Sequence, residues 1–332
     1  MKCKIIYIPL QTTVIFVYFL LAVGFYAQVS EATHIAFTSP REGNNEIYIM
    51  DTKEKNLQNL TNHLARDWQA AFSPDGQWMA FVSNRSGTNR IYLMNRNHNE
   101  LRPLTTHLAS KADFDPDWSP DGQWIAFTSN LPDVPTPTNH IYKINVNTGD
   151  LQLLTDTGYN RFPKWSPDGD RILFYSTRKE GNDLFLMKSN GKNARRVRER
   201  RFGGGKPTWS PDGKQIAYSM TDLAGVGIYI MTDDGQNNRR ITLENTWSGI
   251  SAWSPDGRWI AYELEVESPW GNLNRDSNIH LVSPDGIETR QLTKHPARDR
   301  FPAWVPENFL SVSPTAEKQT TLWGRLKKSD SD

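Results

Sequence analysis

The 332-residue chain has one cysteine, Cys3, which lies ahead of an uncharged run and in no L-x-G-C setting, so lipidation there is not expected. One thiol near the start excludes an internal disulfide framework, thiol catalysis and cysteine-ligated metal in the body of the protein. An excess of charge is also missing: 38 Lys+Arg stand against 37 Asp+Glu, a formal charge of +1. No global field draws such a chain to nucleic acid or to an acidic membrane surface. Catalytic signatures are absent too. There is no G-x-S-x-G, and the seven histidines form no H-E-x-x-H or H-x-H pair, which removes the nucleophile elbow and the common zinc arrangements. Gly203-Gly204-Gly205-Lys206 is followed by Pro207 and a strand-like stretch, whereas a phosphate loop needs Ser/Thr and a helix there.

What is present begins at the N-terminus. Lys2 and Lys4 precede an uncharged run from Ile5 to Ser30, most apolar from Val14 to Val23, which reads as a secretory signal. Ser30-Glu31-Ala32 predicts cleavage after Ala32; the alternative is an uncleaved anchor, although Pro9, Gln11, Thr12 and Thr13 dilute its first half. Either form predicts an exported protein, periplasmic or extracellular, with no membrane insertion beyond this segment. The expected layout is 1–32 signal, 33–310 repeat domain and 311–332 tail, where Leu322, Trp323 and Leu326 offer a docking stripe.

From residue 33 the chain repeats itself. Aromatic-Ser-Pro-Asp-Gly occurs at Phe72–Gly76, Trp118–Gly122, Trp165–Gly169, Trp209–Gly213 and Trp253–Gly257, at spacings of 46, 47, 44 and 44, with a degenerate copy at Trp304-Val305-Pro306-Glu307-Asn308. An apolar triplet such as Ile125-Ala126-Phe127 follows, then a second run such as Ile91-Tyr92-Leu93-Met94, then a closing Leu-Thr as at Leu104-Thr105; in the fourth repeat Arg196-Val197-Arg198 takes that last place. Pro and Gly in Ser-Pro-Asp-Gly preset a tight turn, making its Asp a turn residue. Four short strands per unit of about 45 residues, with no helical period, describe a propeller blade. The predicted fold is all-β: a six-bladed β-propeller closed by three N-terminal strands plus one C-terminal strand in the first blade.

The pattern P-x-W-S-P-D-G-x-x-I-A-F followed by I-Y-x-M-D resembles the WD40-like (PD40) repeat of the TolB-like propellers, over nearly all of the chain beyond residue 33. The resemblance implies a non-catalytic envelope propeller that works by protein–protein interaction. It departs from TolB in that the first repeat follows the signal directly, leaving no room for TolB's preceding α/β domain. Propellers of prolyl-oligopeptidase-like peptidases carry similar repeats, but a hydrolase domain follows them.

Candidate binding residues fall in the variable loops that lead into the innermost strands: Arg66, Asp67, Trp68, Phe114, Tyr159, Arg161, Phe162, Phe202, Trp247, Arg298, Arg300 and Phe301. Aromatic and arginine side chains are the types that anchor interfaces. Asp113, Asp115 and Asp117 alternate, so an extended strand would place three carboxylates on one side as a calcium candidate; Asp67, Asn160 and Asp299 recur at the place of Asp113, which favours a structural task. The insertions Leu131–Asn139 and Glu263–Ser277, with Trp270, are expected on the opposite surface. Arg195, Arg196, Arg198, Arg200 and Arg201 read as a solvated edge. The expected function is an exported, non-enzymatic, monomeric binding module for an envelope protein or glycan-linked partner, with no cofactor other than the calcium candidate. An exported carbohydrate lyase or hydrolase working at the channel mouth, and a structural subunit of an envelope assembly, are the alternatives.

Overall fold

The computed structural model describes residues 33–310 except 107, 132–137, 179–182, 199–205, 245 and 267–275. The signal, the tail, Phe202 and Trp270 therefore lie outside the described residues. The first repeat gives β1 (His34–Ser39), β2 (Glu46–Asp51) and β3 (Gln58–Asn59), and the second gives β4 (Asp67–Phe72), β5 (Trp78–Ser83), β6 (Arg90–Asn95) and β7 (Leu101–Pro103). The third contributes β8 (Asp113–Trp118), β9 (Trp124–Ser129), β10 (His140–Asn145) and β11 (Leu151–Leu153). The fourth supplies β12 (Asn160–Trp165), β13 (Arg171–Ser176), β14 (Asp183–Lys188) and β15 (Arg195–Arg198). Then follow β16 (Thr208–Trp209), β17 (Gln215–Asp222), β18 (Gly225–Thr232) and β19 (Arg239–Arg240), and after them β20 (Thr246–Trp253), β21 (Ile260–Val266), β22 (Asp276–Val282) and β23 (Thr289–Gln291). The described chain ends with β24 (Arg300–Trp304) and one helical turn, α1 (Glu307–Leu310). No helix among the described residues is long and apolar enough to cross a membrane.

The architecture is an all-β propeller. Its blade count corrects the expectation of six: four blades are discrete four-stranded sheets, ordered β24-β1-β2-β3, β4-β5-β6-β7, β11-β10-β9-β8 and β12-β13-β14-β15, and the remaining strands form one eight-stranded sheet. The physical reason is strand length. In the fifth repeat β17 and β18 run eight residues instead of the usual six. The overhang reaches β20, also eight residues long, and pairs with it in parallel through Gly225 with Thr246 and Val226 with Trp247. The C-terminal β24 pairs antiparallel with β1, so chain closure is by sheet hydrogen bonding.

The middle strands are apolar on both faces because each sheet is covered on both sides. In β5, Met79 to Val82 are fully buried. Such a strand loses the in/out alternation of a half-exposed one and reads as a continuous apolar run. Each Ser-Pro-Asp-Gly turn is knotted the same way: Ser119 Oγ donates to Asp121 Oδ1 at 2.5 Å and accepts from Trp124 N at 2.9 Å, while Gly122 takes φ +69°. The closing Leu-Thr also has a defined task. The threonine hydroxyl accepts the backbone N–H that opens the neighbouring strand, Thr105 from Ile91 at 3.0 Å and Thr155 from Ile141 at 2.8 Å. That N–H would otherwise be buried without a partner.

The degenerate sixth motif has become a latch. After Trp304 the chain turns into α1, whose Phe309 is buried in one cluster with Val305, Met79 and Phe81. Phe309 meets Phe72 edge-on, ring centroids 4.8 Å apart, and Arg96 Nη1 donates to Asn308 O at 2.9 Å. This explains why the second repeat carries Phe72 where the other four full motifs carry Trp. Gly76 is needed there for a second reason besides φ +65°: a Cβ would lie 2.9 Å from Asn308 and Phe309 atoms.

Candidate functional site

The innermost strands do not alternate regularly. β4, β8 and β12 each carry a register shift against the next strand, at Trp68/Ala71, Phe114/Asp117 and Arg161/Lys164, and β1 shifts against β24 at Ala36/Thr38. In each bulge the residue three before the motif aromatic has positive φ: Gln69 at 59°, Asp115 at 56°, Phe162 at 57° and Phe301 at 55°. A left-handed non-glycine residue costs about 1–2 kcal/mol, so the surrounding ladder must hold each bulge in place. What the kink does is turn these side chains into the central channel. Lys206 occupies the same place in the fifth repeat, and all five line a cavity of about 300 Å³.

The five side chains meet. Gln69 Nε2 donates to Asp115 Oδ1 at 2.7 Å, and Asp115 N donates to Gln69 Oε1 at 3.0 Å. Asp115 also accepts from Thr128 Oγ1 at 2.9 Å and Arg161 Nε at 3.1 Å. Lys206 Nζ lies 3.8 Å from Asp115 Oδ1, 3.9 Å from the Phe301 ring centre and 5.2 Å from that of Phe162. Arg161 covers the other ring at 4.5 Å and Arg300 covers Phe301 at 5.0 Å. The result is an alternating belt, Arg161, Phe162, Lys206, Phe301, Arg300. Two carboxylates sit beneath it. Asp115 is one, and Glu263, which accepts from Phe301 N at 2.5 Å and Arg300 Nε at 3.4 Å, is the other.

Burial sets the electrostatics. It pushes the Lys206 ammonium down to about 7, with Arg161 and Lys164 adding to the effect and Asp115 and Glu263 opposing it. Burial likewise raises the Glu263 carboxyl despite Arg300. Asp115 and Glu263 side chains are each 4% exposed, whereas Arg161 and Arg300 are 26% and 39% exposed. The belt thus presents its two arginines outward and keeps Lys206 and its acids inside.

The remaining sequence candidates divide into rim and scaffold. Arg66 and Trp247 are exposed, Tyr159 borderline, Trp68 and Phe114 half-buried, and Arg298 lies 3.5 Å from Glu265. Asp67 is scaffold: fully buried, it accepts from Arg85 Nη2 at 2.8 Å, while Arg85 Nε donates to Ser83 Oγ and the guanidinium lies over Phe81 and Tyr92. The same clamp recurs as Asp299 with Arg41 and Ser39, and as Asn160 with Arg178 and Ser176. In the third repeat Asp113 takes Ser129 at 2.6 Å with Arg90 at 3.8 Å.

The acidic triplet does not gather. The bulge at Asp115 breaks the alternation, so Asp113 goes to Ser129, Asp115 into the channel, and Asp117 to Lys164 Nζ at 2.6 Å and Trp165 N at 2.8 Å. Among the described residues there is no group of three or more His, Cys, Asp or Glu that could hold a metal ion. A second correction concerns the insertions. With β8, β9 and β10 antiparallel, the ends of β9 and β10 flanking residues 131–139 lie beside Asp113, the start of β8; Glu263 and Glu265 likewise face Arg300 and Arg298. Both insertions therefore spring from the face that carries the rim, not the opposite one. Gln69, Lys206, Glu263 and Lys164 were not singled out for this site from the sequence; a fixed offset of three residues before each motif aromatic marks the first two.

A closed set of short antiparallel sheets around a lined channel defines a β-propeller protein. A model of the TolB beta propeller domain family matches residues 27–204, more than half the chain, and the chain belongs to that family. Among solved structures, TolB from Acinetobacter baumannii superposes with a TM-score of 0.70 at 20% identity, over 83% of this chain and 67% of that one. A putative TolB from Agrobacterium tumefaciens gives 0.65 at 18%, over 83% and 92%. A chain of the Nidogen/Laminin complex gives 0.63 at 12%, over 82% and 98%. These likenesses show the fold. No curated protein sequence matches the chain.

Proposed function

We propose that this protein is an exported binding propeller that holds a protein partner of the cell envelope at the rim end of its channel. The observation that carries the reading is the belt: outward Arg161 and Arg300 stacked on aromatic rings, supported by buried acids, with Trp247 half exposed and Tyr159 and Arg66 around it. Rigid aromatic and guanidinium groups that are already positioned bind without a large ordering cost. The run from Ile5 to Ser30 behind Lys2 and Lys4 supports export, and a similar propeller fold occurs in a complex named for two proteins.

The test is capture from an envelope extract by the full chain, immobilised, against a Trp247→Ala/Arg300→Ala double variant. Loss of two anchors of about 2 kcal/mol each is expected to remove the captured partner. Equal capture by both proteins would exclude this face, and a product found only in the cytoplasm, with residues 1–32 intact, would exclude export.

A further inference from the structure

One position in the repeat departs from its own pattern without involving the channel. The third residue of the second apolar run is Ile49, Leu93, Leu186, Ile230 and Leu281 in five repeats, all buried at 4% exposure or less. In the third repeat it is Lys143, still only 9% exposed. Each aliphatic counterpart belongs to an apolar cluster shared with the next repeat, and the cluster between the third and fourth repeats has no member at this place. Replacing a core aliphatic group by an ammonium is costly unless the charge is used.

The ammonium has no hydrogen bond or ion pair within 4 Å among the described residues. Its ring neighbours are Trp124, 4.6 Å to the ring centre, and Trp165 at 5.8 Å. Burial lowers the lysine, with only Asp121 opposing. Trp165 is 8% exposed and its Nε1 has no hydrogen-bond partner among the described residues, although Trp118, Trp209 and Trp304 each donate to a carbonyl of the preceding repeat. Both Trp165 and Lys143 line a groove of about 450 Å³ on the face of the Ser-Pro-Asp-Gly turns, away from the belt. That volume lies within the roughly 300–1,000 Å³ of small-molecule sites. Asp121, Asp168 and Asp170 stand at its edge, and Asp168 also lies 3.5 Å from Arg171.

We propose that this groove between the third and fourth repeats is a binding site for a neutral saccharide. The lining selects the class by exclusion. Carboxylates at the edge repel an anion, and the lysine on the floor repels a cation. The part-exposed Trp124 indole favours the C–H face of a ring, while the floor ammonium of Lys143 and the edge carboxylates together satisfy hydroxyl groups, which both donate and accept.

The experiment is calorimetric titration of the full chain with cellobiose, maltose and N,N′-diacetylchitobiose, alongside digalacturonate and chitosan disaccharide as charged controls. It is repeated on Lys143→Leu, which restores the residue type of the other repeats and is expected to fold with a higher thermal midpoint. Support is binding of at least one neutral disaccharide that falls at least about tenfold in the variant. No heat with any neutral sugar, undiminished binding in the variant, or tighter binding of either charged sugar would each overturn the proposal. None of these outcomes bears on the rim reading, because Trp247 and Arg300 lie on the other face.

Discussion

Lys206 makes the pH dependence of stability a direct readout of the channel belt. In the folded protein its ammonium is pushed from 10.5 down to about 7, chiefly by burial. The unfolded chain therefore binds one more proton than the folded one between these values, and stability rises with pH across that window at up to about 1.4 kcal/mol per unit. Integrated from pH 7.5 to 9.5, the gain is about 2.5 kcal/mol. Burial sets the sign: the loss of hydration, helped by the neighbouring cations Arg161 and Lys164, outweighs the attraction of Asp115 and Glu263. Urea unfolding at closely spaced pH values, on the full chain and on Lys206→Met, measures it. The variant is expected to lose the rise. Lys143, also lowered by burial, contributes equally to both proteins and cancels in the difference, while Tyr262, raised to about 12, acts only at the alkaline end. Parallel pH profiles for the two proteins would refute the assignment.

Three further outcomes follow from the scaffold. Phe309→Ala empties a buried site facing Phe72 and is expected to cost about 3–5 kcal/mol in chemical unfolding; a cost below about 1 kcal/mol would mean that α1 does not hold the ring. Gly76→Ala should destabilise more than Gly122→Ala, since both require positive φ but only the first sets a Cβ 2.9 Å from α1, against 3.9 Å from Pro74 in the second; thermal midpoints of the two variants decide this. Arg85→Leu leaves Asp67 buried with its charge uncompensated and is expected to cost about 3–5 kcal/mol at neutral pH. Burial already raises Asp67, so without Arg85 its protonation relieves that loss, and the variant should recover part of its deficit on acidification.

The repeat was legible because two local rules act in every unit: the Ser-Pro-Asp-Gly turn is specified by its own side chains, and strands covered on both faces show as apolar runs. A further Ser283-Pro284-Asp285-Gly286 turn, with Ser283 Oγ 2.5 Å from Asp285 Oδ1, obeys the same rule without an aromatic before it. The blade count was not legible. It depends on two extra residues at the ends of β17 and β18 finding β20, a pairing between repeats that no local pattern announces. The candidate site was legible in part: Arg161, Phe162, Arg300 and Phe301 converge, but Asp67 and Asp113 serve as clamps. The acidic triplet misled because alternation was read as an extended strand, and a bulge at Asp115 cannot be seen in residue types. The side of the insertions follows from strand direction alone and could have been deduced.

The bulge preceding Phe72, Trp118, Trp165 and Trp304 separates what the blades require from what the bore displays. Its backbone accepts Gln69, Asp115, Phe162 and Phe301 with nearly the same φ, so the occupant is not dictated by the ladder. In these repeats the bulge therefore brings one variable side chain to the lumen, and the calibre and charge of the channel vary with it.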